Sequence, residues 1–459
     1  MEPELPLYDF RSAMNPHAPV CPPSPRFHHR RFDLRRSTAF LLASVSLIVL
    51  AACSDDGPTA APGPDPDPEP TLISAEELQR IVVTDANEPM GRVVSLAEGA
   101  ALHEFDLVGP ASYVAVSHSG RYAVLQQRAS DRVHFLDGGS WTEGDKAHLH
   151  DAKLLDFVVD APLPTHFSGN EGWMSTFFDG NGLAAWFHEE DFFAGSPRIA
   201  FEIETGGPHH SGSSAVISGD RSFFVVAPRN PEGGLPHAVH VYDESGQRVA
   251  EVDNCPGMHG NAASGTTTVF GCRDGMVLIQ AQGSSVTAEK HEWDGELAEL
   301  GLRNAWAASG ASVILGMFLT PPGHDAPQRR LGTVDVRTGA VHLLPSLPQG
   351  VLDHSWAVEP RRDRILVMTT QGALYVYSAA TRELVHTIEV TPALSGDSPR
   401  AHQVSGVEGI AAVASPTTGE VVIVDTDAGE VLRRIEVGGA PSRLGILGPR
   451  SQGMYEVWD

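Results

Sequence analysis

Asn254-Cys255-Pro256-Gly257-Met258-His259-Gly260, followed by Phe270-Gly271-Cys272-Arg273-Asp274-Gly275, decides how this chain is read. It sets a histidine just before a run of small residues, Ala262-Ala263-Ser264-Gly265, and brackets the turn with two cysteines. The run Ala-Ala-Ser-Gly recurs as Ala307-Ala308-Ser309-Gly310, which puts Asn304 opposite His259. Aligning Asn304-Ala305-Trp306 with His354-Ser355-Trp356 adds His354, and Arg400-Ala401-His402 adds His402. Upstream, Gly207-Pro208-His209-His210 and Pro164-Thr165-His166 take the same place. The marks stand roughly 40–54 residues apart, a spacing that signals a repeat architecture.

Within each repeat the text reads as short strands and turns. Gly372 to Val390 aligns without a gap on Gly419 to Val437, each a β-branched run, a polar turn and a second run. Ala238 to Val252 and Leu331 to Leu344 carry the same hairpin, and no long segment has helical periodicity. Four short strands per repeat at this spacing predict an all-β, eight-bladed β-propeller over residues 80–459, with seven blades as the alternative. Gly439-Ala440-Pro441-Ser442-Arg443 echoes Gly109-Pro110-Ala111-Ser112-Tyr113, so Leu444 to Leu447 reads as an inner strand. Arg80 to Thr84, Arg92 to Leu96 and Leu102 to Leu107 would complete its blade, closing the ring with both chain ends and leaving no free sheet edge.

The first part of the chain reads as processing signals. Arg30, Arg31, Arg35 and Arg36 precede an apolar run from Ala39, which ends in Leu50-Ala51-Ala52-Cys53. A basic region, a short apolar stretch and small residues before a cut make a secretory leader over residues 1–53. Its last four residues resemble a bacterial lipobox, with Cys53 as the lipidated residue and an extracytoplasmic, membrane-anchored product. Cys21 is removed with the leader. Residues 54–79 read as a Pro/Asp-rich, disordered tether. Cys255 and Cys272 then remain as an exported pair, whose expected fate is a disulfide; a Cys/His zinc site is the competing reading. The formal net charge of −26 excludes a nucleic-acid partner, which calls for a basic footprint.

At the aligned position the blades offer Ser442, Ser112, His166, His209 or His210, His259, Asn304, His354 and His402. A propeller axis brings such residues together, and neutral imidazoles are zinc ligands. The expected metal set is therefore drawn from His166, His209, His210, His259, His354 and His402, with zinc or another divalent ion as cargo. The ring order groups His166, His209/His210 and His259 on three neighbouring blades and leaves His354 and His402 as a separate pair. A second candidate is His148-Leu149-His150-Asp151, in the stretch from Gly138 to Asp151 between hairpin-like strands.

Several stretches resemble the AztD-type periplasmic zinc metallochaperones: Leu136-Asp137-Gly138-Gly139-Ser140-Trp141, Pro164-Thr165-His166-Phe167, Phe177-Phe178-Asp179-Gly180, Gly207-Pro208-His209-His210 and the cysteine-bracketed His259 turn. The resemblance implies an eight-bladed propeller that holds zinc and hands it to the solute-binding protein of a zinc ABC transporter. It implies that His166, His209 or His210, and His259 belong to the zinc region, and that the stretch from Trp141 to Asp151 is a mobile, histidine-bearing transfer loop with His148, His150 and Asp151. The chain departs from the family in having two histidines in that loop and a lipid anchor. A monomer with no catalytic residues is expected. The rivals are a propeller metalloenzyme of the lactonase or hydrolase kind, which would place hard oxygen ligands at the axis, and a metal-independent interaction scaffold. A multi-copper enzyme would need a further domain for which no chain is left.

Overall fold

The computed structural model describes residues 71–321, 324, 327–359, 363–394 and 402–458, and these build nine four-stranded sheets. The leader, Cys53 and the Pro/Asp-rich stretch through Pro70 lie outside the described residues.

Seven sheets each use four strands consecutive in the chain, apart from the hairpin set between the third and fourth strands of the first of them. Pro164–Asn170, Trp173–Phe178, Leu183–His188 and Phe201–Glu204 form one such meander. The sequence explains the layering. Third strands such as Glu420–Asp425 (EVVIVD) are buried on both faces, so they are continuous runs of valine and isoleucine. Fourth strands such as Ser285–Glu292 (SVTAEKHE) alternate exposed and half-buried residues, as an outer strand with one wet face must. The core lies between successive sheets: Leu366, Met368, Leu374 and Val376 of one interleave with Val404, Ala411, Val413 and Val422 of the next.

First strands neighbour one another in chain order. Pro164–Asn170 lies beside Ser213–Ser218, and the series continues through Asn261–Ser264, Gly301–Trp306, Asp353–Glu359, Gln403–Val407 and Pro441–Leu447 to Tyr113–Val116. An eighth sheet joins the chain ends: Pro441–Leu447 pairs antiparallel with Arg80–Asp85, Arg80 opposite Leu447 and Val83 opposite Leu444. Asp85 locks the join by accepting from Ala440 N (2.6 Å). The all-β class and this pairing agree with the reading of the sequence.

Two expectations are corrected. A disordered tether is expected through residue 79, yet Leu72–Ser74 is a strand and Ala75–Leu78 a helical turn with Ala75 and Leu78 buried. Ser74 and Glu77 form a capping box, and Leu72, Ile73 and Leu78 carry the apolar surface that the Pro/Asp text lacks. The stretch from Trp141 to Asp151, expected as a mobile loop, is mostly a hairpin of Ser140–Glu143 and Lys146–Leu149. Lys146–Leu149 runs parallel to Met454–Trp458, which pairs with Leu72–Ser74, so a ninth sheet clasps both chain ends.

Candidate metal centre

Three glycines set up the site. A Cβ at Gly260 would meet Arg303 O at 2.6 Å, one at Gly271 would meet Leu302 O at 2.1 Å, and one at Gly301 would meet Arg273 O at 2.4 Å. Only bare backbone lets the start of Gly301–Trp306 lie this close to the cysteine-bracketed turn. Cys255 and Cys272 are joined in a disulfide, with Cα atoms 4.9 Å apart, and both are buried in an apolar cluster. The turn is thereby held from both sides, and His259 Nδ1 comes to 2.9 Å from Arg303 O.

His259 Nε2 then lies 3.1 Å from His210 Nε2, which lies 3.0 Å from His166 Nε2. His210 Nδ1 is 2.8 Å from Asp179 Oδ2, and Arg128 is 3.0 Å from the same carboxylate. His210 is the hinge of the group. Ring centroids are 4.7 and 4.9 Å from it to His166 and His259, but 5.9 Å between the outer two. Carboxylate and carbonyl oxygens can only accept, so His210 and His259 carry their protons on Nδ1. When both rings are neutral, both Nε2 atoms therefore offer lone pairs to each other across 3.1 Å.

The surroundings keep two of these rings, His166 and His259, neutral. Burial pushes His166 down to about 3, with the neighbouring His210 and His259 adding to the effect. Burial also takes His259 to about 3, helped by the Arg303 charge and His210. Burial works against ionisation of Asp179, but the His210 hydrogen bond and the charges of His210 and Arg128 outweigh it and hold the carboxyl below its usual range. The three imidazoles meet pairwise through His210, which has a carboxylate behind it, the arrangement of a candidate metal site.

The remaining expected residues lie elsewhere. His209 is turned away: Nδ1 is 2.8 Å from Gly207 O and Nε2 3.1 Å from Ala227 O, so either tautomer donates to backbone. His354 is displaced by register. In Pro164–Asn170 the ladder skips Thr165 and resumes at His166; in Gly301–Trp306 it skips Arg303 and resumes at Asn304. In Asp353–Glu359 the skipped residue is His354 and Ser355 takes the ladder position. His354 thus matches Thr165, one place off, and a one-residue slip reverses the face of a side chain. His402 is fully buried, its Nε2 3.1 Å from Thr391 Oγ1 and 3.3 Å from Pro392 O.

His148 stacks on Trp141 at 4.7 Å, and His150 Nδ1 faces Asp151 O at 2.7 Å. Asp151 is exposed at the end of the hairpin. Asp179, Arg128 and Arg303 were not named from the sequence as site residues. Asp179 stood in a quoted motif, Phe-Phe-Asp-Gly, but nothing local tells a turn aspartate from a histidine partner.

A cavity of about 530 Å³ lies along the first strands, lined by His166, Asn304, Gln403, the stacked Trp306 and Trp356, and Arg450. Two bonds join sheets distant in the chain: His118 Nδ1 to Ser309 Oγ at 2.8 Å, both residues lining the cavity, and Asn170 Nδ2 to Gly265 O at 2.7 Å. A further group among the described residues, His240, Glu251 and Asp253, has the spacing of a metal site. There the Arg248 guanidinium lies 3.3 Å from His240 Nε2 and 3.0 Å from Glu251, where a cation would sit.

No protein-family model matches the chain. It is 25% identical over 380 residues to the zinc chaperone AztD of Citrobacter koseri, covering 80% of this chain and 86% of that protein. The crystal structure of apo AztD from Citrobacter koseri superposes with a TM-score of 0.71 at 24% identity, covering 82% of this chain and 99% of that one. A second Citrobacter koseri AztD crystal structure gives 0.70 at 24% identity, over 84% of this chain and 100% of that one. The resemblance read from the sequence motifs therefore extends over most of the chain: in sequence and in fold, this protein is similar to AztD.

Proposed function

We propose that this chain is an exported zinc carrier that holds its cargo on Nε2 of His166, His210 and His259. One observation carries the reading. The Nε2 atoms of His210 and His259 face each other at 3.1 Å, and in the neutral rings both are lone pairs, because Asp179 Oδ2 and Arg303 O take the Nδ1 protons. Two neutral rings cannot satisfy that contact. A cation between them does, and zinc takes imidazole nitrogens at about 2.0–2.1 Å, which sets neighbouring ligand nitrogens roughly 3.3 Å apart. The wider spacing of the outer two rings leaves one side of such an ion open to an acceptor's ligand.

The carrier role rests on the likeness to a protein named as a zinc chaperone. Asp179, the carboxylate that touches the imidazoles, is engaged by His210 and Arg128, which suits orienting a ligand better than acting as a general base. Its acceptor would be the solute-binding protein of a zinc ABC transporter. Lipidated Cys53 would keep the monomer at the outer face of a membrane, with His148, His150 and Asp151 on the clasp as a transfer element. The sheet joining the chain ends and the seven meanders would be the eight blades of a closed propeller, the ninth sheet lying outside the ring.

Metal analysis of protein purified without chelator should find about one zinc per chain. That zinc should pass to an apo zinc-binding transporter component faster than it is released to buffer. Metal-free protein that takes up no zinc on titration would overturn the reading.

A further inference from the structure

Acidic residues outnumber basic ones, 58 to 32, and more than half of the arginines of the described residues form ion pairs with carboxylates. Beside the three imidazoles Arg128 is paired with Asp179, but three further arginines are not paired among the described residues. Arg303 supplies the carbonyl that holds His259, and Gly301 seats the same strand start on the backbone of Arg273. Arg273 is exposed, its guanidinium lying over Gly257 in the cysteine-bracketed turn. Arg229 is also exposed, anchored by its N–H to Thr205 O (3.0 Å) with its Cβ against Gly206, in the loop that leads to His209 and His210. Among the described residues no carboxylate forms an ion pair with Arg229, Arg273 or Arg303. Arg273 also lines a surface cavity of about 570 Å³ with His237, Pro256 and the turn 230–235, whose Glu232 contributes a carboxylate.

We propose that Arg229, Arg273 and Arg303 form a docking rim for an acidic, metal-binding segment of the acceptor protein, next to the cargo site. Unpaired guanidiniums have no role in gathering a cation; they repel it. They suit a carboxylate-rich segment that arrives from outside, and their repulsion of the cargo favours its departure into that segment. Complementary charge at the rim raises the rate of encounter more than it strengthens the bound state. The remainder of the acidic surface would turn the same segment away, which confines docking to the one face where transfer is possible.

The proposal rests on the zinc-carrier reading for its meaning, but its test does not need zinc. The probe is a short labelled peptide rich in Asp, Glu and His, compared with the same peptide carrying Asn and Gln for the acids. Fluorescence anisotropy with the metal-free protein should show the acidic peptide binding about ten-fold or more tighter at low salt, the gap closing at high salt. Arg229→Ala/Arg273→Ala, both at exposed positions, should abolish the gap, and Arg303→Lys should keep it. Equal binding of both peptides, or an unchanged gap in the double variant, overturns the rim. With zinc-loaded protein, stopped-flow transfer should follow the same order while zinc stoichiometry stays at the wild-type value in the double variant. A protein that binds the acidic peptide but no zinc would leave the rim standing and remove the carrier reading instead.

Discussion

Two regions of the molecule start from the same sequence sign, a histidine at the head of a first strand, and end differently. On one side His166, His210 and His259 bring their Nε2 atoms into a chain of 3.0 and 3.1 Å contacts. On the other, His354 stands at a skipped ladder position and His402 is sealed against Thr391 and Pro392. The residue type is the same; what differs is one residue of register at His354 and, for His210 and His259, an acceptor on Nδ1. An imidazole becomes a ligand when something behind it fixes the tautomer and leaves Nε2 pointing forward.

The widest break between the two regions should come from alanine substitutions. His210→Ala removes the ring that both others touch and should cost about a thousand-fold in zinc affinity by competition titration, since a chelate loses its remaining ligands together. His166→Ala and His259→Ala should follow closely. His354→Ala, His402→Ala and His209→Ala should leave affinity within about two-fold, with any penalty showing in thermal stability instead. A large affinity loss in His402→Ala would erase the distinction between the regions.

A second test asks whether the first region is held by its covalent bracket. Cys255 and Cys272 stand 17 residues apart, and removing the bond as Cys255→Ser/Cys272→Ser should cost about 3 kcal/mol in denaturant unfolding. Zinc affinity should fall as well, because His259 rides on the same turn. Unchanged affinity would show that the glycine contacts to Arg303 and Leu302 position His259 unaided.

The third test sharpens the role of the group behind the ligand. Asp179→Asn keeps the shape of the partner to His210 Nδ1 but removes its charge and frees Arg128. Zinc affinity should drop about ten-fold, less than for any ligand, while stoichiometry is retained. The same change made near His402 has no counterpart, since a hydroxyl and a carbonyl hold that ring.

What the sequence made legible follows from what is local in it. Strand pairs such as Ala373–Ser378 with Leu384–Glu389 were visible because β-branched runs and turn residues are written in order. The join of Arg80–Asp85 to Pro441–Leu447 was visible because the last repeat lacked partners and the first lacked a start. The choice of His210 over His209 was not visible: adjacent histidines point to opposite faces, and which face is inward depends on carbonyls of Gly207 and Ala227. The misplacement of His354 has a similar cause. Aligning His354-Ser355-Trp356 on Asn304-Ala305-Trp306 matched residue types, whereas the strand skips Arg303 in one copy and His354 in the other. The helical turn Ala75–Leu78 was missed although Ser74 and Glu77 spell its cap, because the neighbouring prolines dominated the composition.

The smallest expected effect separates the two regions by pH. His166 and His259 have folded-state values near 3 because burial disfavours their charged forms. A depressed histidine contributes stability that is full above its unfolded value of about 6.5 and is lost as the pH falls toward 3. Both rings are partly reached by solvent, so the loss from pH 7 to pH 5 should be on the order of 1 kcal/mol each. Glu359 in the other region acts with the opposite sign. It is fully buried, accepts from Gly409 N (3.0 Å) and Thr426 Oγ1 (2.9 Å), and burial raises it to about 7. A raised carboxyl contributes stability that is full below its unfolded value of 4.5 and is lost as the pH rises through 7. Metal-free wild-type protein should therefore show a flat stability profile between pH 5 and 7, two opposed slopes nearly cancelling. Glu359→Gln removes the second slope, so urea unfolding of that variant should become less stable on acidification by about 1–2 kcal/mol over the same interval. Adding His166→Ala to Glu359→Gln should roughly halve that slope, leaving the part that belongs to His259. A variant profile that stays level would mean that His166 and His259 are not the neutral groups on which the comparison rests.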